Sequence, residues 1–148
     1  MNFCEISKSD FKEWVSLGIA LWPHYSKKKK ALEKTFSEIL SSPKQTAFLC
    51  KDKNEAIAFI NVSLRFDYVP GCVVSPVGYV EGIFVKTEYR KQGVAKELIK
   101  YAEKWAKKQG CKELGSDTEL ENVNSQKFHK NLGFKHVDTI VHFVKKIK

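Results

Sequence analysis

The sequence predicts an α/β domain (α+β in its strand order), a mixed and mostly antiparallel central sheet flanked by about four helices, and three stretches carry that expectation. Thr46 to Lys51 and Glu55 to Asp67 are apolar runs joined by the turn Lys51-Asp52-Lys53-Asn54, an antiparallel hairpin. Tyr79 to Val85 is apolar apart from Glu81 and Gly82, the pattern of a strand buried on both faces. After it Val94, Ala95, Leu98, Ile99, Ala102, Trp105 and Ala106 recur at helical spacing, with Lys96, Glu97, Lys100, Lys104 and Lys107 on the opposite side. A helix there makes Cys111 to Ser116 a strand parallel to the Tyr79 strand, because a crossover connects them.

The remaining elements follow in order. Phe3 to Ile6 reads as a short strand, and Ser7 and Asp10 stand at capping-box spacing before Phe11, Trp14, Val15, Gly18, Leu21 and Trp22 on one helical face. Pro23 ends that helix. A second helix is expected from about Lys28 to Leu40, stopped by Ser41-Ser42-Pro43. In the Glu55 strand Ile60, Val62, Leu64 and Phe66 alternate with Asn61, Ser63, Arg65 and Asp67, one packed face and one polar. Tyr68 to Gly78 is longer than a tight hairpin needs, so it is expected to border a substrate. Asn122 to Asn131 reads as a short helix with Val123, Phe128 and Leu132 inward, and Phe134 to Val137 and Thr139 to Lys145 as closing strands.

The totals bound the function classes. The 148 residues fit one domain over 1–148, able to bury roughly 70% of its unfolded surface without staples. Cys4, Cys50, Cys72 and Cys111 form no CxxC pair, so free intracellular thiols are expected and a zinc site is not. MNFCEISKSDFKEW has no apolar h-region and no run approaches membrane-spanning length, so the expectation is cytoplasmic. The net charge of +9 raises nucleic acid as a partner. However, the lysines gather at Lys27 to Lys30, on the outer side of the helix after Gly93 and at Lys145, Lys146 and Lys148, without the interleaved aromatics of a stacking platform. A solvated face is expected instead.

The chemistry concentrates between strand and helix, at Arg90-Lys91-Gln92-Gly93-Val94-Ala95-Lys96. A helix start offers unpaired N–H donors and the positive end of a dipole, and small residues let an anion reach the backbone. The GxxxxGK[ST] and GxGxxG spacings are absent. Arg90, Gly93 and Ala95 fit the acyl-coenzyme A loop of the GNAT N-acetyltransferases, which the segment resembles: Arg or Gln, two residues, Gly, one residue, then Gly or Ala. Asn122, Ser125, His129, Gly133 and Phe134 resemble that family's second signature. SLRFDYVPG at Ser63 to Gly71, SPVGYVEGIFV at Ser75 to Val85, and SDTELENVNSQKFHKNLGF at Ser116 to Phe134 are similar to the aminoglycoside 6'-N-acetyltransferases.

That resemblance implies a sheet with a splayed parallel strand pair and transfer of acetyl from acetyl-CoA, without a metal, to the 6'-amino group of an aminoglycoside, hence antibiotic resistance. It implies coenzyme A contacts from Ile83, Phe84, Val85, Arg90, Lys91, Gln92, Gly93, Val94, Ala95, Lys96 and Asn122. Glu81 resembles the glutamate that meets the amine, Asp117 adds a second carboxylate, and His129 stands where many relatives carry a proton-donating tyrosine. Trp22, Asp67 and Tyr68, with Glu81 and Asp117, are the implied substrate contacts. Structural alternatives remain for five of them: an ion pair at Glu81, helix-terminus carboxylates around Asp117, packing at His129, a core position for Trp22, and pairing of Asp67 with a lysine. A polyamine, another small amine or a protein amine is the alternative acceptor. The family also implies a homodimer, formed through the strand around Thr139 to Lys145.

Overall fold

The computed structural model describes residues 1–148. Strand β1 (Asn2–Glu5) is followed by a turn of 3-10 helix and by helix α1 (Phe11–Leu21). Ser7 and Asp10 join there as their spacing suggests: the Ser7 amide and hydroxyl both donate to Asp10 Oδ2, at 3.1 and 2.8 Å. A 3-10 segment opened by Pro23 leads to α2 (Lys29–Ser41), then β2 (Gln45–Asp52) and β3 (Glu55–Arg65). Lys53 and Asn54 turn that hairpin with φ of 51° and 67°. Next come β4 (Val77–Val85), α3 (Val94–Lys108), β5 (Leu114–Ser116) and α4 (Val123–Asn131).

The sheet runs β1-β2-β3-β4-β5, antiparallel throughout except for the parallel β4–β5 pair. Both faces are covered, which is why the central strands read as nearly continuous apolar runs. On one face α1 and α2 bury Trp14, Val15, Leu17, Leu32 and Phe36 against Ala47, Leu49 and Phe59. On the other, α3 buries Val94, Leu98, Ile99 and Ala102 against Phe48, Ile60, Val62 and Val80. Trp14 is fully buried, stacks on Phe36 with 4.2 Å between ring centroids, and donates its indole N–H to Asn61 Oδ1 at 3.0 Å. That bond satisfies the one amide of β3 that is buried.

Three expectations need correction. Phe134 to Val137 and Thr139 to Lys145 are not strands: the chain after α4 joins no sheet. Its side chains explain why, since Ile140, Val141, Phe143 and Val144 put apolar groups on both sides of the segment and find no cover, being 69 to 94% exposed. Val123 faces solvent rather than inward, 55% exposed. Tyr79 to Val85 is not buried on both faces either: Glu81 is exposed and Gly82, Ile83 and Phe84 are half-buried, because β5 accompanies only the first part of β4.

Candidate active site

Two irregularities in β4 create the site. Across the β3–β4 ladder Asn61 opposes Gly82 and Val62 opposes Val80, so Glu81 is an extra residue with no partner, a β-bulge. The bulge puts Glu81 and Gly82 on the same side of the sheet, towards α1. Across the β4–β5 ladder, pairing runs from Gly78–Leu114 to Val80–Ser116 and stops. Beyond that point β4 continues to Val85 while the chain after Ser116 leaves the sheet, opening a wedge whose β4 wall carries backbone groups without a strand partner.

Around the bulge a polar network joins residues of β3 and β4 to Asp117, the residue that follows β5. Arg65 donates through its Nη2 to Glu81 Oε1 and Oε2 at 2.5 and 3.1 Å, and Ser63 Oγ donates to Glu81 Oε2 at 3.3 Å. The Arg65 guanidinium lies on the ring of Tyr79, Cζ 3.4 Å from its centroid. Tyr79 in turn donates its hydroxyl to Asp117 Oδ2 at 2.5 Å. Burial, then the Asp117 carboxylate, push the Tyr79 phenol well above its ordinary range, so it stays protonated and keeps donating. Gly115 permits this: a Cβ there would stand 2.9 Å from the Tyr79 ring. Glu81 and Asp117 therefore belong to one connected cluster, linked through Arg65 and Tyr79.

Trp22 closes the side towards α1. Its indole packs on Gly82, where a Cβ would come within 2.6 Å, and lies near Tyr25, Phe36 and Phe59. Asp67 and Tyr68 stand on the exposed loop beyond β3, Tyr68 83% exposed. Val69 of that loop packs with Val77 and Tyr79, holding it beside the network.

The Arg90–Lys96 segment turns from β4 into α3 as the anion-site reading requires. Lys91 and Gly93 have φ of 62° and 80°, and a Cβ at Gly93 would meet nothing within 4 Å, so the glycine serves the backbone conformation and leaves the helix start open. Val94 is the buried anchor behind it. Arg90 is partly engaged at home, donating from Nε to the Val85 carbonyl at 2.9 Å, and Gln92 donates to the Glu88 carbonyl at 3.2 Å. Asn122 caps α4, accepting from the Ser125 amide at 3.0 Å.

His129 sits at the apex of the wedge, between the rings of Phe128 and Phe134. Its Nδ1 is 2.7 Å from the Ser125 carbonyl, which can only accept, so in the neutral ring Nδ1 carries the hydrogen. Nε2 then accepts from the Ser116 hydroxyl at 2.7 Å. In that tautomer the imidazole has no proton for a leaving group on the Nε2 side.

Arg65, Ser63, Tyr79 and Ser116 are site residues that sequence reasoning did not single out. The polar face Asn61, Ser63, Arg65 of the Glu55 strand was visible in the sequence, but not that it would meet Glu81.

Comparison with known proteins agrees with this geometry. Residues 5–134 match the Acetyltransferase (GNAT) family. This chain belongs to the GNAT acetyltransferase family. Within the family, it is 44% identical over 133 residues to an aminoglycoside N(6')-acetyltransferase type 1 of Serratia marcescens, covering 89% of this chain and 90% of that one. The crystal structure of aminoglycoside 6'-N-acetyltransferase AAC(6')-IG from Acinetobacter haemolyticus superposes with a TM-score of 0.93, at 38% identity and full coverage of both chains. That of AAC(6')-Iy in complex with the bisubstrate analogue CoA-S-monomethyl-acetylneamine gives 0.89, at 37% identity, with 99% of this chain and 98% of that one covered. The splayed β4–β5 pair, the bulge and the glycine-opened helix start of this GNAT chain are accordingly parts of one acyl-transfer scaffold.

Proposed function

We propose that this GNAT acetyltransferase moves the acetyl group of acetyl-CoA to the 6'-amino group of aminoglycosides, and so confers resistance to them. The observation that supports it most is the joined Glu81 and Asp117 carboxylates at the wedge, in a chain whose formal net charge is +9. A polycationic acceptor needs such a local reversal of sign.

Each group has a task in direct attack of an amine on a thioester. The Arg90–Lys96 loop amides hold the coenzyme A pyrophosphate, and the wedge admits the pantetheine arm beside Ile83, Phe84 and Val85. A backbone N–H on the β4 wall stabilises the carbonyl oxygen as it gains charge. Glu81 takes the proton of the attacking amine, directly or through water, and Asp117 orients the substrate's other ammonium groups. Trp22 and Tyr68 supply apolar surface to the sugar rings, and Asp67 a rim carboxylate.

The test is thiol release from acetyl-CoA with kanamycin, tobramycin and spermidine as parallel acceptors. A 6'-hydroxyl aminoglycoside serves as control. Turnover with the aminoglycosides and none with the hydroxyl analogue is expected; turnover with spermidine alone would move the reading to a polyamine acceptor.

The working unit in this reading is a homodimer. The exposed apolar groups of the segment after α4, from Ile140 to Ile147, have no cover within one chain and would gain it by pairing with a second copy. Light scattering on the full chain, expected at twice the 17.0 kDa monomer mass, tests this.

A further inference from the structure

The acceptor site contains a cation of its own, and an amine-activating enzyme has a use for one. A polycation is attracted by carboxylates, yet the same carboxylates raise the pKa of a bound ammonium and hold it protonated, which removes its lone pair. Binding and nucleophilicity thus pull in opposite directions at Glu81. Arg65 addresses that conflict. Its guanidinium contacts both oxygens of Glu81, at 2.5 and 3.1 Å, and lies 3.4 Å over the Tyr79 ring that donates to Asp117. Arginine keeps its charge at any working pH, so the neutralisation is permanent.

Stability does not account for this pair. Its side chains are 43% and 34% exposed, and an ion pair so open to water contributes little to folding. Nor does Glu81 need Arg65 to satisfy a buried charge, since its side chain is itself open to water.

We propose that Arg65 balances the charge of Glu81 so that the acceptor amine is bound without being locked as an ammonium. The inference rests on the aminoglycoside reading above and adds to it a residue that tunes the nucleophile. The charged and titratable groups around the position are Glu81 and Tyr79 from β4, Arg65 from β3 and Asp117 after β5. From the α1 side come the Trp22 indole and, beyond it, His24 beside the Tyr25 ring, while Lys44 lies over Phe66 just after β3. Arg65 is the one cation in contact with Glu81.

The experiment is the pH profile of kcat from pH 6 to 9.5, at saturating tobramycin, for the wild type, Arg65→Gln and Arg65→Lys. Removing the charge should lower KM several-fold and move the acid limb of kcat upward by about one pH unit, so that the loss in kcat grows to about tenfold as pH falls. Arg65→Lys keeps the charge and should restore most of the limb. A uniform loss at every pH, or equal behaviour of Gln and Lys, makes Arg65 a mere support for Glu81 and overturns the proposal. Thermal melting checks that each variant folds, with Arg65→Met replacing Gln if it does not. No wild-type turnover would remove the aminoglycoside reading and this inference with it. Wild-type turnover with an unmoved limb would remove this inference alone.

Discussion

Trp22 lies directly on Gly82, the indole so close that a Cβ on the glycine would meet its ring at 2.6 Å. The glycine beside the bulge thus sets the position of the indole that the proposed function places against the acceptor. Gly82→Ala should push the indole outward at a cost of about 1–3 kcal/mol. The expected signature is a lower melting temperature together with a raised acceptor KM and an unchanged affinity for acetyl-CoA. A variant with wild-type KM would show that Trp22 does not touch the acceptor.

Glu81 and Gly93 should separate the two substrates. Glu81→Gln is expected to lower acceptor turnover while acetyl-CoA binding, measured by calorimetry, stays nearly intact. Gly93→Val should do the reverse, because a branched side chain is strained at φ of 80° and would block approach to the helix start. If Glu81→Gln instead unfolds the protein and the folded fraction shows no catalytic defect, the ion pair with Arg65 is the whole role of the residue.

His129 is expected to matter less than its place in the second signature suggests. With Nδ1 donating to Ser125 and Nε2 accepting from Ser116, it organises the wedge apex rather than presenting an acid. His129→Phe should reduce kcat by less than about tenfold and leave the alkaline limb of the pH profile in place. A loss of 10²–10⁴ with that limb abolished is the result that would assign it proton donation to the thiolate.

The Asp10–Lys51 ion pair gives stability a predictable pH dependence. Burial pushes the Asp10 carboxyl up, but the Lys51 ammonium and the Ser7 donors outweigh it and hold the carboxyl below its ordinary value. Its contribution is therefore present above the unfolded pKa of about 3.9 and is lost as pH falls through the lower folded value. The Asp10 hydrogen bond raises Lys51, whose contribution is complete below its unfolded pKa and is lost as pH rises through the folded one. Asp10→Asn should cost about 1–3 kcal/mol at pH 7 by leaving a half-buried ammonium unpaired. The difference in melting temperature from the wild type should shrink below pH 4. A constant difference across that range would show that the pair is not the source.

Much of this was legible because it is local. The α3 stripe, the Pro23 break, the Lys51–Asn54 turn and the Gly93 loop are patterns of neighbours in sequence, and the structure forms each of them. The two carboxylates were legible as acids in unusual places, Glu81 in an apolar strand and Asp117 in a basic chain. Arg65 was not, because its meeting with Glu81 depends on the β3–β4 register and on the bulge that shifts it, and nothing in a period-two pattern marks where an extra residue falls. The closing strands failed for a related reason. Alternation reveals that a segment can pair, and Thr139 to Lys145 has that capacity, but it does not say which edge the segment meets, and here neither β1 nor β5 takes it up.

The bulge has an evolutionary corollary. Val80 and Ile83 face the α3 core on either side of it, and Gly82 opposes Asn61 as an uninterrupted ladder would have it. Glu81 is thus an insertion that the strand tolerates without losing its apolar phase, and excising it would close the ladder over the same core. In the proposed function, packing and reactivity thus fall to different residues of β4. Selection for new acceptors can therefore act at this one position and its contacts while the scaffold beneath is left alone.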